Sequence, residues 1–155
     1  MTSFTTFTTP TDPGFQVVAG RPNGLRRLLV VSGRLPAATS AGPVHAHAGD
    51  EVIRVLEGEL VVRVGDERRT CREGDVVAVP PQVLHGFRVV RDALVEVVAE
   101  HDMGTFFPVR QDDGSRRLVE VYRTDLPWSA PPPQPGRLTS DQELDAILRS
   151  VDLEV

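Results

Sequence analysis

The sequence predicts an all-β sandwich or barrel followed by one C-terminal α-helix. Three observations predict it. Short runs rich in Val and Leu recur along the chain: Phe15–Ala19, Leu25–Ser32, Glu51–Leu56, Glu59–Val64, Asp75–Val79, Gly86–Val90, Ala93–Glu100 and Leu118–Tyr122. Turn formers punctuate them at intervals of roughly 8–12 residues, the spacing of sandwiches and barrels. A single stretch near the end carries helical periodicity instead.

The strands follow from alternation. In Glu59–Val64 the residues Leu60, Val62 and Val64 share one face while Arg63 takes the other, which is a half-buried strand. Turns are expected at Gly58, Gly65–Asp66, Gly74–Asp75 and Arg91–Asp92. Residues 1–14 read as a flexible or strand-exchanged segment ahead of a β-domain over 15–123. Residues 124–138 are too proline-rich for a helix or an interior strand and read as an extended linker. Over 139–155, Ser140 and Glu143 form a capping box, and Leu144, Ile147, Leu148 and Val151 follow helical spacing.

Composition removes several classes of function. Net charge is −5, which leaves no electrostatic footprint for nucleic acid or an anionic membrane. No apolar run approaches the roughly 18 residues of a membrane span. Met1–Pro10 is Thr-rich without a basic start or an apolar centre, so no secretory signal is read there and a cytoplasmic protein is expected. All 17 basic residues are Arg, which excludes Schiff-base chemistry on lysine. The one cysteine, Cys71, excludes an internal disulfide and any CxxC site, and in its polar run it reads as a bystander thiol.

One stretch carries chemistry. His45 and His47 stand two residues apart, so on extended chain they face one side together, and Glu51 keeps the same parity. Neutral imidazole and carboxylate suit Zn, Fe, Mn, Ni, Co or Cu(II). A further ligand type, His85, follows the run Gly74–Val79 and its prolines.

These residues resemble the two motifs of the cupin superfamily. His45-x-His47-x3-Glu51-x6-Gly58 matches the ligand-bearing part of the first motif, with its leading glycine displaced to Gly42. Gly74, Pro80 and His85 fall at the spacings of the second, with Gln82 in place of an inner glycine and Val89 in place of a final asparagine. The resemblance implies a double-stranded β-helix, the jelly-roll barrel, with one divalent transition-metal ion held by His45, His47, Glu51 and His85. It also implies that Glu51 can double as a catalytic base. Ile53 and Phe87 share parity with neighbouring ligands and are expected to point inward, where they either line a substrate pocket or pack the core. Phe106 and Phe107 either close the mouth or pack a partner. His101 and Glu96 are expected to face solvent.

Three functions suit such a site. The leading expectation is an oxygenase acting on an aromatic, enolic or polyketide-like small molecule. A non-redox cyclase, isomerase, decarboxylase or lyase would use the same ligands, and a small-molecule-binding protein without turnover is the third reading. The apolar strands and the C-terminal helix suggest a homodimer.

Overall fold

The computed structural model describes residues 9–40, 43–101, 103–121, 141–151 and 153–155. Eight strands and a helix follow in order: β1 (Gly14–Ala19), β2 (Leu28–Leu35), β3 (Glu51–Val64), β4 (Glu67–Arg72), β5 (Val76–Val79), β6 (His85–Glu100), β7 (Phe106–Arg110), β8 (Arg116–Glu120) and α1 (Asp141–Ser150). Most of the 1–14 segment, the leading Gly42, the proline-rich 124–138 stretch and the Ser140 cap lie outside the described residues.

The main sheet runs β1-β2-β6-β3-β4, with β5 also paired to β3; β7 and β8 form a separate antiparallel pair. Isolated bridges from His45 to His85 and from Ala46 to Phe106 link that pair back to β6. The barrel is therefore two facing walls. One wall holds β2, the C-terminal half of β6, the N-terminal half of β3, and β5. The other holds β4, the C-terminal half of β3, the N-terminal half of β6, and the β7–β8 pair.

Both long strands pass from one wall to the other, and this corrects two expected turns. Gly58 and Arg91–Asp92 do not reverse the chain; they lie within continuous strands β3 and β6, whose register slips between Val55 and Leu60. Gly58 has φ +87°, and a Cβ there would meet Ala93 Cα at 2.7 Å and collide with the Asp92 carbonyl. A glycine that lets two backbones approach this closely makes a bulge and a bend, not a hairpin, because paired alternation resumes on both sides. The strands β4 and β7, which the apolar runs did not mark, have outward residues that are mostly polar or a proline.

Cross-strand rows define the interior. Val31, Val97, Ile53 and Val77 form one row, and Leu29, Ala99, Glu51 and Val79 the next. Glu51 is thus a carboxylate set in an otherwise apolar row. On the other wall Glu67, Val64, His85 and His45 line up. Ile53, Val55, Leu60, Val89 and Val95 are almost fully buried and fill the space between the walls.

The helix packs on β7 and ends at Ser150, short of the expected 155. Residues 153–155 lie instead along the outside of the sheet. The Glu154 carbonyl accepts hydrogen bonds from Arg63 at 2.8 Å and Arg68 at 3.0 Å. Arg63, read from its parity as facing away from the core, does face outward but is covered at 8 % exposure. Among the described residues no helix is long and apolar enough to cross a membrane.

Candidate metal centre

The centre starts from a backbone pair. His45 and His85 exchange both main-chain hydrogen bonds, at 3.0 and 2.7 Å, which sets their side chains on the same face. Their ring centroids are 4.6 Å apart. His47, two residues on, brings a third ring to 4.9 Å from His45 and 5.2 Å from His85. The turn carrying Gln82 is tied to this strand by its amide, which donates to the His47 carbonyl at 2.7 Å. Gln82 stands at φ +64°, so it keeps the left-handed backbone that a glycine would adopt there.

Each imidazole is oriented by a main-chain carbonyl. Nδ1 of His45 donates to Pro43 at 2.9 Å and Nδ1 of His85 to Val83 at 2.9 Å, the same two-residue reach in both motifs. Nδ1 of His47 donates to Gly104 at 2.6 Å. A carbonyl can only accept, so Nδ1 carries the proton and Nε2 of each neutral ring is a bare lone pair. The ligating atoms of His45, His47 and His85 all lie within 4.8 Å of one another, so the three can hold a metal ion.

Glu51 completes the arrangement from the opposite row. Its Oε2 is 3.3 Å from His47 Nε2 and its Oε1 3.5 Å from His85 Nε2. Those are acceptors facing acceptors. His47 Nε2 and His85 Nε2 are buried and have no hydrogen-bond partner. Buried lone pairs facing a carboxylate require a cation between them, a proton or a metal ion. Two ligands about 2.1 Å from one ion at a tetrahedral angle stand roughly 3.4 Å apart, so the spacing suits a transition ion.

The electrostatics favour the metal-ready forms. Burial, assisted by the neighbouring His85 and His47, lowers the pKa of His45 from 6.5 to about 3. Burial also lowers that of His47, outweighing the opposing pull of Glu51 and of the Gly104 carbonyl. For Glu51 burial acts upward, but the pull of the neighbouring His85, with His47 and His45, carries the carboxyl below its ordinary value. At neutral pH His45 and His47 are therefore neutral and Glu51 is a carboxylate, the protonation states that metals bind.

The other expected residues are placed as follows. Ile53 and Phe87 point inward and are buried in the apolar core cluster. A neighbouring cavity of about 860 Å³ is lined by Val62, Val64, Val77 and Cys71, with Arg69 and Glu67 among its polar residues. It begins beside the site, since Val64 is the cross-strand partner of His85. Cys71 is buried, on the inner face opposite Leu60, because strand β4 turns it inward. His101 departs from expectation: it is half-buried, with Nε2 enclosed beside Gly20. Glu96 lies on the outer face and pairs with Arg54 at 3.8 Å.

Phe107 is buried beside the centre, its ring 6.0 Å from that of His45, while Phe106 lies on the other face of β7. The orienting carbonyls of Pro43, Val83 and Gly104 escaped sequence reasoning, because a main-chain acceptor leaves no residue-type signal.

Residues 31–99 match the cupin domain family. A protein of known structure from Thermus thermophilus, TT1209, is 31% identical, with a TM-score of 0.51 over 59% of this chain and 85% of that one. With fold and motifs already in place, the chain belongs to the cupin superfamily and is a small cupin with a jelly-roll barrel. Other similar structures are an RmlC-like cupin from Shewanella frigidimarina (26% identity, TM-score 0.51, 59% of this chain and 80% of that one) and KdgF from Halomonas sp. (25%, 0.50, 59% and 83%). No curated protein matches the chain.

Proposed function

We propose that His45, His47, Glu51 and His85 hold one divalent transition-metal ion, and that the protein is an oxygenase acting on an aromatic, enolic or polyketide-like small molecule. The observation that carries the metal is the set of buried Nε2 lone pairs turned toward the Glu51 carboxylate with no hydrogen-bond donor between them. Three neutral imidazoles and one carboxylate leave a divalent ion with residual positive charge and open positions. Such an ion supplies Lewis acidity and, where redox-active, electron exchange with dioxygen.

The protein's own contribution is positioning and exclusion of water. The Pro43, Val83 and Gly104 carbonyls lock the three rings. The neighbouring cavity sets Val62, Val64 and Val77 against polar Glu67, Arg69 and Thr70, which suits an organic ligand bearing polar groups, and Phe107 lies on the His45 side. One observation favours a second, non-redox reading as a cyclase, isomerase or lyase. The Glu51 carboxyl is held ionised inside an apolar row, so it can accept a proton from a bound substrate.

Elemental analysis of protein purified without oxygen tests both. Stoichiometric iron, manganese, copper or nickel, with oxygen uptake on phenolic or enolic compounds, supports the oxygenase. Zinc alone transfers the assignment to the non-redox class. Absence of any metal leaves a binding protein.

A further inference from the structure

Among the described residues, four buried side-chain polar atoms have no hydrogen-bond partner. Two are the Nε2 atoms of His47 and His85, and a third is Oγ1 of Thr105, a residue 1 % exposed. The strand register places Thr105 beside His47. Ala46 and Phe106 exchange both main-chain hydrogen bonds at 2.8 Å. The flanking residues His45 and Phe107, and likewise His47 and Thr105, therefore face each other as non-hydrogen-bonded pairs, the kind whose side chains approach more closely. The 6.0 Å separation of the His45 and Phe107 rings agrees with this register on one side. On the other, the chain stays extended through Thr105, whose carbonyl accepts from Val121 at 2.8 Å. The residue before it, Gly104, is the one that orients His47.

A buried hydroxyl without a partner is costly, and valine would fill the same volume without that cost. We propose that Thr105 is a positioning residue whose hydroxyl donates a hydrogen bond to an anionic donor atom of a ligand entering beside His47. The inference rests on the metal-binding reading above. It narrows the substrate class to molecules that present an ionised oxygen, such as an enolate, phenolate or carboxylate, because no acceptor among the described residues occupies that hydroxyl.

The test uses the full chain loaded with Co(II), and azide as the anionic probe followed by visible absorption. Wild type, Thr105→Val and Thr105→Ser are expected to bind Co(II) within about twofold of one another. Azide affinity is expected to fall about tenfold in Thr105→Val and to return in Thr105→Ser, as for a hydrogen bond to a charged acceptor. Metal-free Thr105→Val is expected to melt no lower than wild type. Equal azide affinity in wild type and Thr105→Val would overturn the inference while leaving the metal site intact. A metal-free Thr105→Val that melts well below wild type would also overturn it, since the hydroxyl would then have a partner within the protein. Failure of wild type to bind Co(II) would overturn the metal reading itself, and this inference with it.

Discussion

Gln82 donates its amide to the carbonyl of His47 at 2.7 Å while its own backbone sits at φ +64°. The link fastens the turn of the second motif to the strand of the first, and it holds a non-glycine residue in the left-handed region. That conformation costs a residue with a Cβ about 1–2 kcal/mol, partly offset by the greater freedom glycine has when unfolded. Gln82→Gly is therefore expected to stabilise the metal-free protein by about 0.5–1 kcal/mol, read as a higher denaturation midpoint with an unchanged m-value. A lower midpoint would mean that the exposed side chain has a role of its own.

His47→Ala and His85→Ala are each expected to lose most of the bound metal in stoichiometry measurements on the folded protein. Wild type should gain about 2.7 kcal/mol of stability when free metal exceeds its dissociation constant a hundredfold, and lose it with a chelator. Unchanged metal content in either variant would remove that residue from the ligand set.

Glu51→Gln separates charge from shape. The amide keeps the shape and can donate to an Nε2 lone pair, so the metal-free variant should remain folded, read as a cooperative denaturation transition. Metal affinity and turnover should both fall. Retained turnover would leave Glu51 a ligand without a proton-transfer role.

Acid should destabilise the metal-free protein from these groups, with a worked sign. The folded-state pKa of His45 is lowered from 6.5 to about 3, and that of His47 is lowered too. Between those values the unfolded chain binds protons that the folded chain refuses, so stability falls as pH drops below about 6.5. The slope is up to about 1.4 kcal/mol per pH unit for each group. Glu51, with its pKa lowered from 4.5, stabilises the fold above that value and loses this contribution as pH falls further. Denaturant titrations between pH 4 and 8 check this; a flat profile would show that the histidines protonate in the fold.

The homodimer remains a proposal. Strand β1 is the edge of the main sheet, and Val17 within it and Leu28 on the adjoining β2 are exposed. Light scattering should give twice the 16.9 kDa chain mass; a monomer would remove the proposal.

Much of the centre was legible in the sequence because its information is local. The parity of His45, His47 and Glu51 follows from a two-residue repeat, and the same repeat marked most of the β-strands. The spacing from Gly74 through Pro80 to His85 marked the second motif. What local pattern does not contain is which strand meets which. That Gly58 bends β3 instead of ending it depends on Asp92 and Ala93 lying against it from β6. That His85 meets His45, and Thr105 faces His47, depends on the backbone hydrogen bonds of His45 with His85 and of Ala46 with Phe106, residues 40 and 60 positions apart along the chain. Alternation names the face each side chain takes, and only the paired backbone decides what stands across from it.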